Sequence, residues 1–414
     1  MKLISSFVIL VGLIGMTANL GVIHDISVST YYSSQLSTAK SATSERVPPQ
    51  KNDSSALIYA EYGEQDPFVP IEGNIVKGTY KNGEYIEAAS RICTESIQRF
   101  KNPTRIIISD EYYLRASFFS DSGEALYEIN GVKGALYVYA GTNAYLSIYR
   151  EGSPAFSEND DWKEIFNANL KILSFEEYQR QKAIQNQNAF SSISIFQKIG
   201  VCGDSFASGS IYYPDKTGWT GNSEMSWPKI LGRKAGAEVQ CFSKGGLATR
   251  DWLTEQAYGL PKLLKSSPKD LYILSFGIND YKQVFGQDKT LPLGSEEDFR
   301  EKYTDNPESF FGCYGKIINS IQEYSPDSKI VVLSVARPWE RKMDEYIERI
   351  ADYFNLPYIY LPNDDYFISP DFYTKMIENH PTAVGYGAMA NAIEKLIMID
   401  MSKNNEYWET FYGV

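Results

Sequence analysis

The chain has 414 residues, of which 43% are hydrophobic and 22% charged, so it can bury a sizeable core and global disorder is excluded. This length exceeds that of one ordinary domain and predicts two, with room for an extra terminal segment. The formal net charge of −12 argues against binding to nucleic acid or to anionic membrane surfaces, because both need clustered lysine and arginine.

The cysteine and histidine content restricts the redox and metal chemistry of the chain. The four cysteines are far apart in sequence, so there is no C-x-x-C motif, and we expect buried core residues rather than a disulfide framework. They lie at positions 93, 202, 241 and 313. The two histidines are His24 and His380, which is too few for an ordinary zinc site. The sequence therefore predicts no metal and no cofactor.

The N-terminal segment divides into an apolar part and a polar part. An apolar run follows Lys2, so residues 1–23 are expected to be a signal peptide or an N-terminal anchor. Any membrane contact is expected only through residues 3–23, a run that is short for a transmembrane helix. Residues 24–55 are rich in Ser, Thr and Lys and predict a linker. A cleaved signal predicts a secreted or cell-surface protein, and a retained anchor fits a phage virion tail.

Residues 56–175 contain short runs of β-branched and aromatic residues between turn signals such as Asn82-Gly83 and Asn130-Gly131. Several runs alternate apolar and polar residues, as half-buried strands do. The runs lie at 56–60, 74–78, 105–108, 136–139 and 145–149. We expect an antiparallel β-sandwich, and the pattern leaves open whether it binds carbohydrate or serves assembly. The polar residues 176–195 are predicted to be a second linker.

From residue 196 onward, apolar runs typical of strands alternate with helical patterns. The predicted strands lie at 199–202, 237–242, 271–276, 330–335 and 357–361. One predicted helix begins near Ser226, and three others span 252–264, 343–354 and 388–399. This alternation predicts an α/β domain over residues 196–414, with a five-stranded parallel sheet between two layers of helices. In such sheets, sites form at the C-terminal ends of the strands.

Four short motifs occur in order, three of them directly after a strand and the fourth before the last helix. Gly203-Asp204-Ser205 follows the first strand, and a glycine pair, Gly245-Gly246, follows the second. Gly277-Ile278-Asn279-Asp280 follows the third, and Asn379-His380-Pro381 precedes the last helix. This series resembles the SGNH hydrolases, also called GDSL esterases/lipases, over about residues 196–400. The resemblance implies a flavodoxin-like three-layer α/β/α fold and the chemistry of a serine esterase.

The resemblance also implies a role for one residue in each motif. Ser205 would be the nucleophile, and His380 would be the general base and then the general acid. The backbone N–H groups of Ser205 and Gly246 and the side-chain amide of Asn279 would stabilise the oxyanion. Gly245 competes with Gly246 for this role, and we favour Gly246 because Leu-Ala-Thr follows it, as in the family's second block.

One position departs from the family pattern. The family usually has an aspartate three residues before the histidine, where this chain has Ile377. Glu378, two residues before His380, and Asp371, nine residues before it, are alternative groups that would orient the imidazole. A backbone carbonyl is a further alternative, and it would leave a Ser-His dyad.

The remaining expectations concern the surroundings of the site and the substrate. Arg337 and Trp339 follow the fourth strand and are candidate substrate contacts, whereas Asp204 and Asp280 are expected to be structural. The attached β-domain and the lack of an apolar lid motif favour an esterase that removes acyl groups, chiefly O-acetyl, from a polysaccharide or glycoconjugate. The alternative is a phage tail or cell-surface receptor-binding protein whose hydrolase-like domain serves attachment. Either is compatible with a homo-oligomer or with assembly into a virion.

Overall fold

The computed structural model describes residues 67–81, 83–187, 193–213, 218–221, 223–286 and 289–409. These residues lie within one compact unit that spans 58–414. The predicted signal or anchor (1–23), the predicted linker (24–55) and the first predicted strand (56–60) lie outside the described residues. None of the helices in the described part of the chain has the length and apolar character needed to cross a membrane.

The first part of the described chain consists mainly of short strands. They are β1 (Phe68–Val69), β2 (Ile75–Lys77), β3 (Thr79–Lys81), β4 (Glu84–Ile86), β5 (Ile92–Thr94), β6 (Gln98–Phe100), β7 (Thr104–Ile108), β8 (Tyr112–Phe119), β9 (Ala125–Val132), β10 (Ala135–Val138), β11 (Thr142–Arg150) and β12 (Leu170–Leu173). Two helices accompany them, α1 (Trp162–Asn169) and α2 (Phe175–Gln187). Helix α2 occupies most of the segment that was predicted to be a linker.

These strands form two main antiparallel sheets, as the alternating runs predict. One sheet has the order β1-β12-β7-β10, and the other has the order β2-β5-β11-β8-β9 with β6 also paired to β11. Leu114 and Ala116 on β8, and Leu146 and Ile148 on β11, are fully buried. They join one apolar core with residues of the other sheet and with Phe166 of α1. The predicted β-sandwich is confirmed.

The second part of the chain alternates strands and helices. Its strands are β13 (Lys198–Gly203), β14 (Ser210–Tyr213), β15 (Gly218–Gly221), β16 (Glu238–Ser243), β17 (Leu271–Ser275), β18 (Lys329–Leu333) and β19 (Tyr358–Ile359). Its helices are α3 (Ser205–Ser208), α4 (Trp227–Ala235), α5 (Thr249–Thr254), α6 (Leu260–Leu263), α7 (Ile278–Phe285), α8 (Phe310–Tyr324), α9 (Asp344–Tyr353), α10 (Pro370–Thr374), α11 (Ala383–Lys403) and α12 (Asn405–Glu409). Short 3-10 helices lie at Ile193–Ile195, Ser223–Met225, Glu296–Asp298, Tyr303–Asp305, Pro338–Met343, Leu361–Asn363 and Asp365–Ile368.

Five of these strands form the predicted parallel sheet, in the order β16-β13-β17-β18-β19. Numbered within the domain, this order is 2-1-3-4-5, which is the flavodoxin-like arrangement, so the predicted fold is confirmed. Gly203 pairs with Ser243 on one side and with Ser275 on the other. Because the first three strands end at the same level, the motifs that follow them emerge at one edge of the sheet.

One predicted helix, 252–264, is divided in the structure into α5 and α6. Pro261 lies in the first turn of α6, where its ring is tolerated, but it could not continue a helix from upstream. Gly259 is packed so closely that a Cβ there would lie 2.0 Å from the carbonyl oxygen of Trp252. This close approach separates the two helices, and the hydrophobic pattern alone did not indicate it.

All four cysteines are free, in agreement with the predicted core role. Cys93, Cys202 and Cys313 are buried, and Cys241 is half-buried. Burial raises the pKa of the Cys93 thiol to about 12. A thiol with such a pKa stays protonated at neutral pH and behaves as a small apolar group.

Asp365 joins the β-sandwich to the α/β domain. Its carboxylate accepts hydrogen bonds from Arg105 of β7, at 2.9 Å from Nε and 2.5 Å from Nη2. It also accepts one from Tyr178 Oη of α2 at 2.9 Å and pairs with Lys182 Nζ at 2.8 Å. Burial acts to raise the pKa of Asp365, but the charges of Arg105 and Lys182 outweigh it and hold the pKa below its ordinary value. The contact is thus a mostly buried, multiply hydrogen-bonded ion pair.

We expect Arg105→Met to lower the free energy of unfolding by about 2 kcal/mol. Removing one partner of a buried ion pair costs about 3–5 kcal/mol. The expected loss is smaller here because Lys182 and Tyr178 still compensate the charge of Asp365. The measurement is the guanidinium denaturation curve, read as a shift of the midpoint at constant slope. The matched control is Arg233→Met, which breaks an exposed pair with Glu224 and should cost below about 1 kcal/mol. Equal losses in the two variants would contradict the role assigned to Arg105.

Candidate active site

Ser205 lies at the point where β13 ends and the single turn of α3 begins. Asp204 caps this turn, because its carboxylate accepts a hydrogen bond from the backbone N–H of Phe206 at 2.9 Å. The Ser205 side chain is mostly buried. Its Oγ lies 2.8 Å from Nε2 of His380, a residue 175 positions later in the chain. The structure therefore brings the first and last motifs into direct contact.

The two ring nitrogens of His380 have different partners, and these define its tautomer. Nδ1 lies 3.0 Å from the backbone carbonyl oxygen of Glu378. A carbonyl oxygen can only accept, so Nδ1 carries the proton in the neutral ring. Nε2 is then an acceptor, and the Ser205 hydroxyl donates to it. This is the arrangement in which an imidazole can remove the proton of a serine.

A tight turn places the Glu378 carbonyl against the imidazole. Ile377 and His380 exchange two backbone hydrogen bonds, of 2.9 and 3.0 Å. Glu378 and Asn379 between them have φ of 49° and 59°, the left-handed values that a type I′ turn has at both central positions. Asparagine tolerates this region well, whereas a glutamate there costs about 1 kcal/mol.

The turn changes the role predicted for Glu378. Its backbone carbonyl, and not its carboxylate, contacts His380, and the side chain is exposed. The other acidic candidate, Asp371, pairs with Lys375 at 2.8 Å. The geometry therefore corresponds to the third alternative, in which a backbone carbonyl orients the imidazole.

Aromatic rings flank the imidazole of His380. The buried ring of Phe206 lies 5.3 Å from it, measured between ring centroids. The indole of Trp219 lies 4.3 Å from it at an interplanar angle of 68°, and Trp219 is 52% exposed. Burial lowers the pKa of His380, and the positive charges of Arg337 and Lys282 lower it further, against the opposing effect of the Glu378 carbonyl. These effects favour the neutral form of the ring.

The second and third motifs are attached to each other by hydrogen bonds. Gly246 has a φ of 85°, a left-handed value that favours glycine. Asn279 is buried, and its Nδ2 donates to the carbonyl of Leu247, the residue after Gly246, at 3.1 Å. Asp280 accepts from the backbone N–H of Thr249 at 2.9 Å and from its hydroxyl at 2.6 Å. The loop that holds Gly246 is thus fixed to the start of α7.

Asp280 also closes the turn at the start of α7, where its carboxylate accepts from the backbone N–H of Gly277 at 3.1 Å. Gly277 has a φ of 125°, and a Cβ there would lie 2.5 Å from Cγ2 of Val335. Burial raises the pKa of Asp280 to about 6, even though its hydrogen bonds act to lower it. These contacts agree with a structural role for Asp280.

The two candidate substrate contacts differ in exposure. Arg337 donates to both oxygens of Glu340, at 2.6 and 2.5 Å, and its side chain is 8% exposed. It has little surface to offer a substrate, and its charge acts to lower the pKa of His380. Trp339 is 40% exposed and lies beside the sandwich, since a Cβ on Gly131 would be 3.6 Å from the indole.

Sequence reasoning missed two residues that surround the dyad. Tyr386 Oη donates to the carbonyl of Ser210 at 2.8 Å and lies 3.3 Å from that of Ser205. Its position in the Gly385-Tyr386 pair, shortly after the last motif, was a usable signal. Trp219 carried no such signal, because its contact depends on the β14–β15 pairing. In the described ranges, no group of three or more His, Cys, Asp or Glu side chains could hold a metal ion.

Residues 201–388 match the model of the GDSL-like Lipase/Acylhydrolase family. No curated protein matches the chain.

Several solved structures resemble the chain at low identity. A lipolytic protein of the G-D-S-L family from Desulfitobacterium hafniense DCB-2 is 18% identical, with a TM-score of 0.35 over 48% of this chain and 99% of that chain. A family two carbohydrate esterase from Clostridium thermocellum, in complex with cellohexaose, is 13% identical, with a TM-score of 0.36 over 81% and 100%. Est24, a carbohydrate acetylesterase from Sinorhizobium meliloti, is 15% identical, with a TM-score of 0.34 over 49% and 98%.

Structural similarity at these TM-scores does not indicate the substrate. The family match covers all four motifs, from the strand before Ser205 to the residues after His380. Residues 201–388 are therefore a domain of the GDSL-like lipase/acylhydrolase family, the SGNH hydrolases, and this part of the chain is a carboxylic ester hydrolase, as its motifs predict.

Proposed function

We propose that this protein is a serine esterase that removes O-acyl groups, chiefly acetyl, from a polysaccharide or glycoconjugate. The observation that supports it best is the 2.8 Å contact between Ser205 Oγ and His380 Nε2 within an acylhydrolase domain. Acetyl is proposed because it is the ester group that polysaccharides most commonly carry.

In the proposed mechanism, Ser205 and His380 act in two stages. Oγ of Ser205 attacks the ester carbonyl carbon while Nε2 of His380 takes the hydroxyl proton. The tetrahedral intermediate then collapses, the bond to the alcohol oxygen breaks, and His380 gives the proton to that oxygen. Water then attacks the acyl-enzyme carbonyl carbon while Nε2 of His380 takes a proton from the water. The bond between the acyl carbon and Ser205 Oγ breaks, and His380 returns the proton to Oγ. The products are the free alcohol and a carboxylic acid.

Three donors are proposed for the oxyanion, namely the N–H groups of Ser205 and Gly246 and the amide of Asn279. The Asn279 amide has two N–H groups, and the hydrogen bond to Leu247 uses one of them. That bond fixes the direction of the amide and leaves the second N–H for the substrate. Loss of one such donor typically costs on the order of 10²–10³ in rate, so this fixation matters.

The carbohydrate part of the proposal rests on an exposed aromatic side chain, Trp339, in the segment that follows the fourth strand of the parallel sheet. Trp339 presents 40% of its surface next to the sandwich, and an indole offers a flat apolar face with a polar N–H at its edge. Sugar rings have matching apolar faces with hydroxyl groups at their edges. We therefore propose Trp339 as a substrate contact. For Arg337 we propose a different role, in which its charge helps to lower the pKa of His380.

We expect Ser205→Ala and His380→Ala each to lower kcat/KM for 4-nitrophenyl acetate by at least about 10³-fold, because the nucleophile and its base act as one unit. Release of 4-nitrophenol measures this directly. Ser208→Ala is the matched control, since it removes a hydroxyl from the same short helix and should change the rate less than about threefold. Wild-type turnover that persists in Ser205→Ala would exclude the mechanism.

The Glu378 carbonyl is expected to act through the backbone alone. Glu378→Gly removes the carboxylate and suits the left-handed φ, so kcat/KM should stay within about threefold of wild type. Glu378→Pro fixes φ near −65°, which is incompatible with the turn, and should lower the rate by about 10³-fold or more. Circular dichroism of both variants checks that the fold is intact. A large loss in Glu378→Gly would instead show that the carboxylate takes part.

The pH profile should reflect the lowered pKa of His380. A general base works in its neutral form, so a depressed pKa keeps the enzyme active to lower pH, and kcat/KM should fall with a midpoint below 6.5. Proton NMR of the two histidines measures the same titration, with His380→Asn identifying the signal. Lys282→Glu should move the midpoint upward, whereas Lys262→Glu on α6 should not. A midpoint above 6.5 in wild type would contradict the electrostatics described for the site.

A further inference from the structure

The hairpin β14–β15 directs an aromatic pair toward the dyad. Tyr212 and Trp219 are opposite each other in this antiparallel pair, so their side chains lie on one face, with ring centroids 5.3 Å apart. Their neighbour Ile211 points to the other face and is buried in the core. The hairpin therefore has an apolar side that attaches it to the domain and an aromatic side that reaches His380.

The hairpin is also anchored to the catalytic serine. Ser210, the first residue of β14, accepts a hydrogen bond from Tyr386 Oη at 2.8 Å. The same hydroxyl lies 3.3 Å from the carbonyl oxygen of Ser205, and Tyr386 is fully buried. The buried side chain of Tyr386 thus contacts both the nucleophile and the first residue of the hairpin. The position of Trp219 is therefore coupled to that of the dyad.

Trp219 is unusual because it is both close to the base and open to solvent. Its indole lies 4.3 Å from the His380 ring, between centroids, yet 52% of the residue is exposed. Tyr212 covers part of the indole, and the exposed part remains for another ring. A contact that only shielded His380 would bury the indole more completely, as the Phe206 ring on the same imidazole is buried.

The chemistry of ester cleavage indicates which half of the substrate meets this surface. His380 must deliver its proton to the alcohol oxygen, so the alcohol half lies beside His380. The acyl oxygen instead points to the donors of Ser205, Gly246 and Asn279. A group in contact with the imidazole therefore borders the alcohol half, and the acyl half faces the other motifs.

We infer that Trp219 is the binding surface for the alcohol half of the substrate and that this half is a sugar ring. The inference rests on the proposed esterase function and deepens it. An open indole binds a flat partner whose polar edges stay in water, which describes a pyranose ring. An alkyl chain would need an enclosed apolar groove to bury a comparable area. Trp219 thereby selects the alcohol, independently of the acyl group.

The test compares esters that share one acyl group and differ in the alcohol. The substrates are glucose pentaacetate and xylose tetraacetate, which contain a sugar ring, and ethyl acetate, which does not. Acetate release gives kcat/KM, which reports the acylation step in which the alcohol leaves. We expect Trp219→Ala to lower kcat/KM for the sugar acetates about tenfold or more and for ethyl acetate less than about threefold. Trp219→Phe should retain most of the activity on the sugar acetates.

Tyr353→Ala is the matched control, because it removes an aromatic ring of similar exposure, 51%, from α9. It should leave the ratio of the two substrate classes unchanged. Equal losses on sugar acetates and ethyl acetate in Trp219→Ala would mean that Trp219 only positions His380, and no loss on either would mean that it binds nothing. Both results overturn the inference while leaving the esterase function intact.

A binding measurement separates failure of the inference from failure of the proposed function. Calorimetry with glucose pentaacetate and the Ser205→Ala variant should show binding that weakens about tenfold or more when Trp219→Ala is added. If wild type hydrolyses no acetate ester, the proposed function fails, and this measurement still decides the role of Trp219. Equal affinity with and without Trp219 would overturn the inference even in an active enzyme.

Discussion

The two hydrogen bonds of the His380 imidazole are the constraint on which the rest of the site depends. Nε2 faces Ser205 Oγ at 2.8 Å, and Nδ1 faces the Glu378 carbonyl at 3.0 Å. The imidazole can serve as a base only if both hold, because the second bond sets the tautomer that makes the first productive. The fold must therefore bring the end of β13 and the turn at 377–380 together with an accuracy of a few tenths of an ångström.

Three devices supply this accuracy, and each is built into the framework rather than into the loops. The register of β13 with β16 and β17 brings the first three motifs to one level of the sheet. Asp280 then ties the second motif to the third through Thr249 and Gly277. Tyr386, one turn into α11, reaches back to the carbonyls of Ser205 and Ser210. The last of these joins the histidine segment to the serine segment independently of the dyad itself.

The sequence was informative about the parts of the protein that follow from periodicity and from motif order. The apolar runs predicted the five parallel strands, and the four motifs in order predicted the family and the meeting of Ser205 with His380. The orientation of His380 could not be read in the same way, because nothing in the residue type of Glu378 indicates a left-handed φ. Trp219 was missed because its position depends on strand pairing, and the division of helix 252–264 depends on the close packing of Gly259.

The replacement of a carboxylate by a carbonyl has a consequence for the proposed chemistry. A carbonyl orients Nδ1–H but carries only a partial charge, so it stabilises the imidazolium less than an aspartate would. Burial and the charges of Arg337 and Lys282 destabilise the imidazolium further. The protonated His380 is then a stronger acid than in a Ser-His-Asp triad. A stronger acid gives its proton more readily to a poor leaving group, and the alkoxide of an alkyl ester is a poor leaving group. The electrostatics of His380 and the proposed contact of Trp219 thus both act on the alcohol half of the substrate.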